Sequence, residues 1–330
     1  MEIYLIGLAV ALVGGLLMSR LTRLLHLPAV TAYLVAGLLL GPFFLGRLNV
    51  PGLGFNALEE VNVLSIVSQT ALGFIAFAMG NEFRLSQLRT IGSRAIIIGI
   101  LQAVITTIVV DVILLLLHLF FPHIISVPCA ITLGAIAAAT APAATLMVVR
   151  QYKADGPMTR LLMLVVALDD AVGLLLFSVS FGIATALSNG QVSVLAVVVE
   201  PIVEILLSVG LGGFMGLLLH WVERFFHSRS KRMSLSVAFV MLTVGLSMLE
   251  FQIGPVHCGF SLLLVCMMTG TIFCNVCPTS EELMERVDGW TMPLNILFFV
   301  ISGAELDLNV LSQPCLLYTS PSPRDISGSR

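Results

Sequence analysis

At 330 residues, 58% hydrophobic and 11% charged, with a mean hydropathy of +1.05, the chain is too apolar for a water-soluble domain of its length. A formal net charge of −3 leaves no basic stripe for nucleic acid, and the sequence has no Walker-type glycine loop to support nucleotide-driven transport. The composition describes an all-α, polytopic membrane protein and not an enzyme of the aqueous phase.

The first apolar stretch, 3–19 in MEIYLIGLAVALVGGLLMSR, follows an acid and precedes its arginine, the reverse of a secretory signal, so it is read as a retained helix. Nine more stretches follow: 28–46, 62–81, 95–121, 127–149, 160–187, 200–222, 233–250, 255–277 and 291–308. Each approaches the roughly 20 residues that cross about 30 Å of hydrocarbon at about 1.5 Å per residue. Basic residues separate between alternate loops. Arg20 and Arg23; Arg84, Arg89 and Arg94; Arg150, Lys153 and Arg160; and Arg224, Arg229, Lys231 and Arg232 fall on one side, against Arg47 alone on the other. Cytoplasmic loops are enriched in Lys and Arg, which predicts a multi-pass plasma-membrane protein with its N-terminus outside and the loops of Arg20, Arg84, Arg150 and Arg232 inside. The segment SEELMERVD, 280–288, is an inside loop by the same order, although it is acidic.

Polar residues within the apolar stretches mark where function is expected. The third stretch ends FAMGNEFRL and the tenth ends VISGAELDL, sharing Gly80/Gly303, Glu82/Glu305 and Leu85/Leu308. The two helices run in opposite directions, as in inverted-repeat secondary transporters. Glu82 and Glu305 are candidate accessory residues at helix ends, and Asp111, sharing the fourth stretch with His118, is another. The fifth stretch carries Ala139-Thr140-Ala141-Pro142. A mid-membrane proline removes a backbone donor and frees the carbonyl four residues earlier, so the helix is expected to break there and face an ion.

The sixth stretch carries VALDDAVG. A carboxylate at the bilayer centre costs about 2.5–3.5 kcal/mol on insertion scales, which makes Asp169 and Asp170 a site rather than ornament. Neighbours on a helix diverge by about 100°, so one can face a cavity beside Thr140 while the other turns toward an adjacent helix, where a partner cation is expected. A carboxylate beside carbonyl and hydroxyl oxygens holds either a proton or a hard cation. Competition for one site, reached from one side at a time, gives exchange.

Of six cysteines, most lie in apolar runs and read as small hydrophobes; Cys274 and Cys277 form one C-x-x-C without a second pair, so they read as membrane-edge thiols, and no metal beyond a transported cation is expected. Gly212 and Gly216 give small-xxx-small spacing for helix or dimer packing. Residues 313–330 turn polar and rich in Ser and Pro, and CLLYTSPSPRD resembles a translated sequencing adapter. They are expected to be a non-native or disordered tail to a transmembrane domain, 1–312, whose second repeat is cut off, leaving a fragment inactive by itself.

ATAPAATLMVVRQYKADGPMTRLLMLVVALDDAVGLL resembles the central segment of the monovalent cation:proton antiporter-2 family, which has the sodium/hydrogen exchanger fold; PAVTAYLVAGLLLGP and ILFFVISGAELDL are similar to it as well. The resemblance covers residues 1 to about 312. It implies a dimerisation bundle and an ion-carrying bundle with crossing broken helices, no cofactor, a homodimer when full length, and exchange of Na+ or K+ for H+ across the lipid bilayer. It also implies that Asp170 is the principal ion- and proton-binding aspartate, that Asp169 is the acid paired with a lysine in electrogenic members, and that Thr140 is the threonine of the broken segment. Ala141 departs from the pattern, where many members carry an acid or Ser. The alternatives are a sodium-coupled solute symporter of related fold, a channel, and an intramembrane aspartyl protease, which needs two aspartates converging from different helices.

Overall fold

Apolar side chains dominate every long segment, and each segment satisfies its own backbone as a helix, as a chain in lipid must unless it closes a barrel. The computed structural model describes residues 2–24, 27–48, 54–122, 125–189, 200–249, 251–253 and 256–306. Among them the helices are α1 (Glu2–Leu24), α2 (Ala29–Leu40), α3 (Leu58–Val63), α4 (Ser65–Met79), α5 (Leu85–Phe120), α6 (Val127–Ala138), α7 (Pro142–Gln151), α8 (Pro157–Asn189), α9 (Glu200–Glu223), α10 (Arg229–Ser247), α11 (Leu262–Val276) and α12 (Ser280–Ala304). Among the described residues five spans are long and apolar enough to cross a membrane: Tyr4–Thr22, Ala29–Leu48, Ile96–Phe120, Ile202–Glu223 and Ser280–Ala304. The protein is a multi-pass membrane protein. The expected tail, 313–330, lies outside the described residues.

Three boundaries differ from the sequence expectation. α5 begins at Leu85, so its 36 residues extend about 54 Å, well beyond about 30 Å of hydrocarbon, and Arg89 and Arg94 ride on a helical extension rather than in a loop. The ninth stretch starts as a short antiparallel hairpin, Phe251–Ile253 with Val256–Cys258, before α11 opens at Leu262, where the Ser261 hydroxyl accepts from the Leu264 N–H. The third concerns 280–288, which is the beginning of α12 and not a loop. Glu281 and Glu282 sit in its first turn, where the helix dipole favours acids, and Glu282 pairs with Arg286 at 3.0 Å.

The acids of α12 also explain why this end tolerates negative charge. Glu281 meets Arg84 at 3.2 Å, Glu282 meets Arg229 at 3.2 Å and Asp288 meets Arg150 at 2.8 Å. Nearby, the Ala29 N–H donates to the Gln151 side chain at 2.8 Å. The basic segments at the start of α5, the end of α7 and the start of α10 therefore gather with the start of α12 at one end of the molecule.

The helices form two packed groups. α5, α6 and α8 pack on one another, with α7 against α8. The remaining long helices form a scaffold in which α2 crosses α12, α4 crosses α11, and α9 lies along α11. The α2–α12 crossing is so close that a Cβ on Gly37 would strike the Val300 carbonyl, and one on Gly303 that of Leu34. The α4–α11 crossing repeats this arrangement, with Gly80 against the Met267 carbonyl and Gly270 against that of Phe77. Gly80 and Gly303, the glycines shared by the two similar helix ends, thus do the same packing job in corresponding helix pairs.

Candidate functional site

The sharpest backbone irregularity inside the apolar layer lies between α6 and α7. α6 starts with Ser126 as its cap, the hydroxyl accepting from the Cys129 N–H at 3.4 Å, with Pro128 in the first turn. It stops at Ala138. Pro142 cannot continue the helix: it has no N–H to donate, and its ring would collide with the carbonyl of Ala138. A residue before proline is driven out of the α region, and Ala141 has φ −101° and ψ 87°; Ala139 is extended at φ −68° and ψ 136°. Pro142 then opens α7 from the position where a missing N–H costs least. Carbonyls released by α6 and amides released by α7 thereby face the same short stretch, the first as a negative helix end and the second as a positive one.

α8 brings its acid to this break. Asp169 is 1% exposed, and one turn further on, Gly173 faces Ala139, whose Cβ would lie 4.0 Å from a Cβ added at Gly173. The Thr140 hydroxyl lies beside the Asp169 carboxyl without reaching hydrogen-bond geometry, and it has no partner among the described residues. Thr145, in the first turn of α7, turns its hydroxyl back to the Ala141 carbonyl at 3.1 Å. Asp170 follows Asp169 on α8, Pro142 opens α7, and Glu82 lies in the turn Gly80–Phe83; the side chains of all three are outside the described set.

One member of the site was not singled out from the sequence. Gln102 on α5 faces Asp169, and with its amide nitrogen toward α8 it donates to both carboxylate oxygens at 3.0 Å. Gly99, one turn earlier, faces Leu168 of α8, where an added Cβ would find the Leu168 Cβ at 3.7 Å, an ordinary contact. The partner that the sequence led us to expect for an aspartate here is a cation; among the described residues it is a neutral amide. The signal was available, because an amide inside IIIGILQAVITT must find a partner in a medium that offers none.

Two of the accessory candidates, Asp111 and Glu305, are not part of this cluster. Asp111 lies nine residues beyond Gln102 on α5, about 13 Å along the helix, and packs against Gly134 of α6, where any Cβ would collide with its carboxylate. Its buried Oδ1 has no hydrogen-bond partner among the described residues. Glu305 is the exposed C-cap of α12. Of the C-x-x-C thiols, Cys274 donates to the Thr271 carbonyl at 3.2 Å, and Cys277 meets Glu223 and His220 closely enough for their ligand atoms to lie within 4.8 Å of one another. That carboxylate is already engaged by Arg232 at 3.5 Å, the Thr279 hydroxyl at 3.1 Å and the Cys277 thiol at 2.9 Å, and Arg224 reaches His220 at 2.9 Å. The group ties α9 to α10 and α11.

Comparison with known proteins agrees with this architecture. Residues 8–321 match the family model described as "Sodium/hydrogen exchanger, transmembrane". The fold matches two structures of the sodium proton antiporter MjNhaP1 from Methanocaldococcus jannaschii. One, at pH 8, has a TM-score of 0.61 at 18% identity, covering 97% of this chain and 80% of that one. The other has a TM-score of 0.67 at 19% identity, covering 91% and 69%. A curated relative, K(+) efflux antiporter 5 of Arabidopsis thaliana, is 31% identical over 94 residues, which is 28% of this chain and only 14% of that protein. With a helix broken beside a buried acid, and with a family model matching nearly its whole length, the chain belongs to the sodium/hydrogen exchanger family.

Proposed function

We propose that the chain carries the cation site of an antiporter that exchanges Na+ or K+ for H+, with Asp170, Asp169 and Thr140 at the site and the residues 139–142 as its unwound floor. The observation that carries this reading is the meeting of a buried carboxylate, Asp169, with a helix interrupted inside an apolar stretch, whose Thr140 hydroxyl has no partner among the described residues. Oxygen from a carboxylate, a hydroxyl and loosened carbonyls suits a hard monovalent cation, and a proton competes for the same carboxylate. The two packed groups provide the second requirement: α5–α8 carries the site, the scaffold stays in the membrane, and relative movement exposes the site to one side at a time. In this reading the arginine-rich end faces the cytoplasm of a plasma-membrane protein, and a homodimer forms through the scaffold. Sodium is suggested by the solved antiporter's name and potassium by the plant relative's. The aspartyl-protease alternative loses ground because Asp111, the nearest acid on another helix with a described side chain, packs against Gly134 rather than Asp169.

The test is exchange by the full-length protein in proteoliposomes, read as collapse of an imposed pH gradient on adding Na+ or K+. Asp170→Asn is expected to abolish exchange while the protein still inserts; Asp169→Asn is expected to be milder or to alter the charge moved per cycle. Normal exchange by Asp170→Asn would remove that residue from the mechanism.

A further inference from the structure

We infer that Gln102 is a further member of the cation site, an amide that holds the empty Asp169 carboxylate through its nitrogen and, after a half-turn, presents its oxygen to the bound cation. The inference rests on the antiporter reading above and goes beyond it in assigning a ligand on α5, outside the broken helix and outside the acid pair.

The geometry comes first. Asp169 is 1% exposed, so its carboxylate needs donors from protein, and the Thr140 hydroxyl beside it does not reach hydrogen-bond geometry. Gln102 supplies them, with its nitrogen 3.0 Å from each carboxylate oxygen. A carboxylate accepts only, and an amide N–H lying between its two oxygens is shared by both, so donor meets acceptor when no cation is present. A cation seated on Asp169 reverses the requirement. It repels the N–H groups and calls for oxygen, and the glutamine carries that oxygen on the other side of the same planar group. The terminal torsion of glutamine is a broad, nearly two-fold rotor, so the oxygen and nitrogen exchange places in almost the same volume. Lysine or arginine at this position could do only the first task, because both donate and neither accepts.

The placement also fits the surroundings. Gly99 of α5 faces Leu168 of α8 one turn before Gln102, and Gly173 of α8 faces Ala139 one turn after Asp169. Gln102 therefore closes the site on the α5 side, as the helix break closes it on the α6–α7 side. A bound cation would be met by Asp169, the Thr140 hydroxyl and the Gln102 oxygen, three oxygens from three separate segments.

Three substitutions in the full-length protein separate a ligand from a spacer. Gln102→Leu keeps bulk and loses both functions; Gln102→Glu keeps an oxygen and loses the donors; Gln102→Lys keeps donors and loses the oxygen. Cation binding is read as the rise in Tm when NaCl or KCl replaces choline chloride in detergent, and exchange is read as apparent KM in proteoliposomes. Gln102→Leu is expected to raise the half-saturating cation concentration and KM about tenfold or more while the maximal rate is retained, the size of a lost contact to a charged group. Gln102→Glu should keep the cation-dependent rise in Tm and Gln102→Lys should lose it. Half-saturation unchanged in both Gln102→Leu and Gln102→Lys, with Asp170→Asn inactive, overturns the inference and leaves the antiporter reading standing. If Gln102→Leu does not fold, equal half-saturation in the Glu and Lys variants overturns it as well. Cation-driven exchange that survives in Asp170→Asn removes the antiporter reading's principal residue, and the inference falls with it.

Discussion

The scaffold and the site-bearing helices solve the same problem, packing apolar helices in lipid, in opposite ways. In the scaffold the backbones of α2 and α12, and of α4 and α11, approach until only glycine fits, at Gly37, Gly303, Gly80 and Gly270. Beside the site the approach is looser: a Cβ on Gly99 of α5 would find Leu168 of α8 at 3.7 Å, and one on Gly173 of α8 would find Ala139 of the break at 4.0 Å, both ordinary contact distances. Lipid tails are as apolar as leucine, so helices gain little from the hydrophobic effect and depend on close contact. The scaffold uses that contact at both crossings; the site group uses it away from the site, where Gly134 of α6 is pressed against Asp111 of α5, and not at the α5–α8 contact beside Gln102.

The most severe way to break the comparison is Gly303→Leu. Its side chain has to occupy space held by the backbone of Leu34, which no rotamer change can clear. Overpacking typically costs about 1–3 kcal/mol and more where backbone must move, so a marked fall in Tm and in monodisperse yield is expected in detergent. An unchanged Tm would mean that the α2–α12 crossing is not a rigid element and that the contrast with the site group is false.

How much of this was legible in advance depended on whether the cause was local. The break at 139–142 was readable because proline acts on its own turn and on the residue before it. The acid pair was readable because two carboxylates stand out in VALDDAVG. The shared Gly80 and Gly303 were readable as a repeat, though not as the reason for it, since the colliding carbonyls belong to helices far along the chain. The start of α12 was misplaced for the same reason: SEELMERVD is acidic enough to resemble a loop, and the arginines that balance it come from α7 and from the starts of α5 and α10. Gln102 was passed over because a neutral amide carries no charge to set against the bilayer, while its meaning comes from Asp169, 67 positions away.

A milder substitution sharpens the comparison from the other side. Gly173→Ala adds a methyl group 4.0 Å from the Ala139 Cβ, an ordinary contact, and alanine is favoured over glycine inside a helix by about 0.5–1 kcal/mol. Tm should stay level or rise slightly. A fall comparable to that of Gly303→Leu would show that α8 is packed against the break as tightly as the scaffold is packed within itself.

The smallest expected effect tests the seam between the two groups. Arg150, in the last turn of α7, and Asp288, on α12, meet at 2.8 Å with side chains 34% and 30% exposed, so the ion pair joins the site group to the scaffold in partial contact with water. Pairs of this exposure contribute about 0.2–1 kcal/mol because solvent screens them and two long side chains must be ordered. Arg150→Ala and Asp288→Ala should therefore each lower Tm slightly, the double substitution should lower it no further than the larger single one, and the coupling should shrink as salt is raised toward 1 M, where screening acts over about 3 Å. A salt-insensitive loss several times larger would place the pair in a dry, fixed interface. The two groups could then not slide past one another at α7, and movement between them would have to be sought at the contact of α8 with α9 instead.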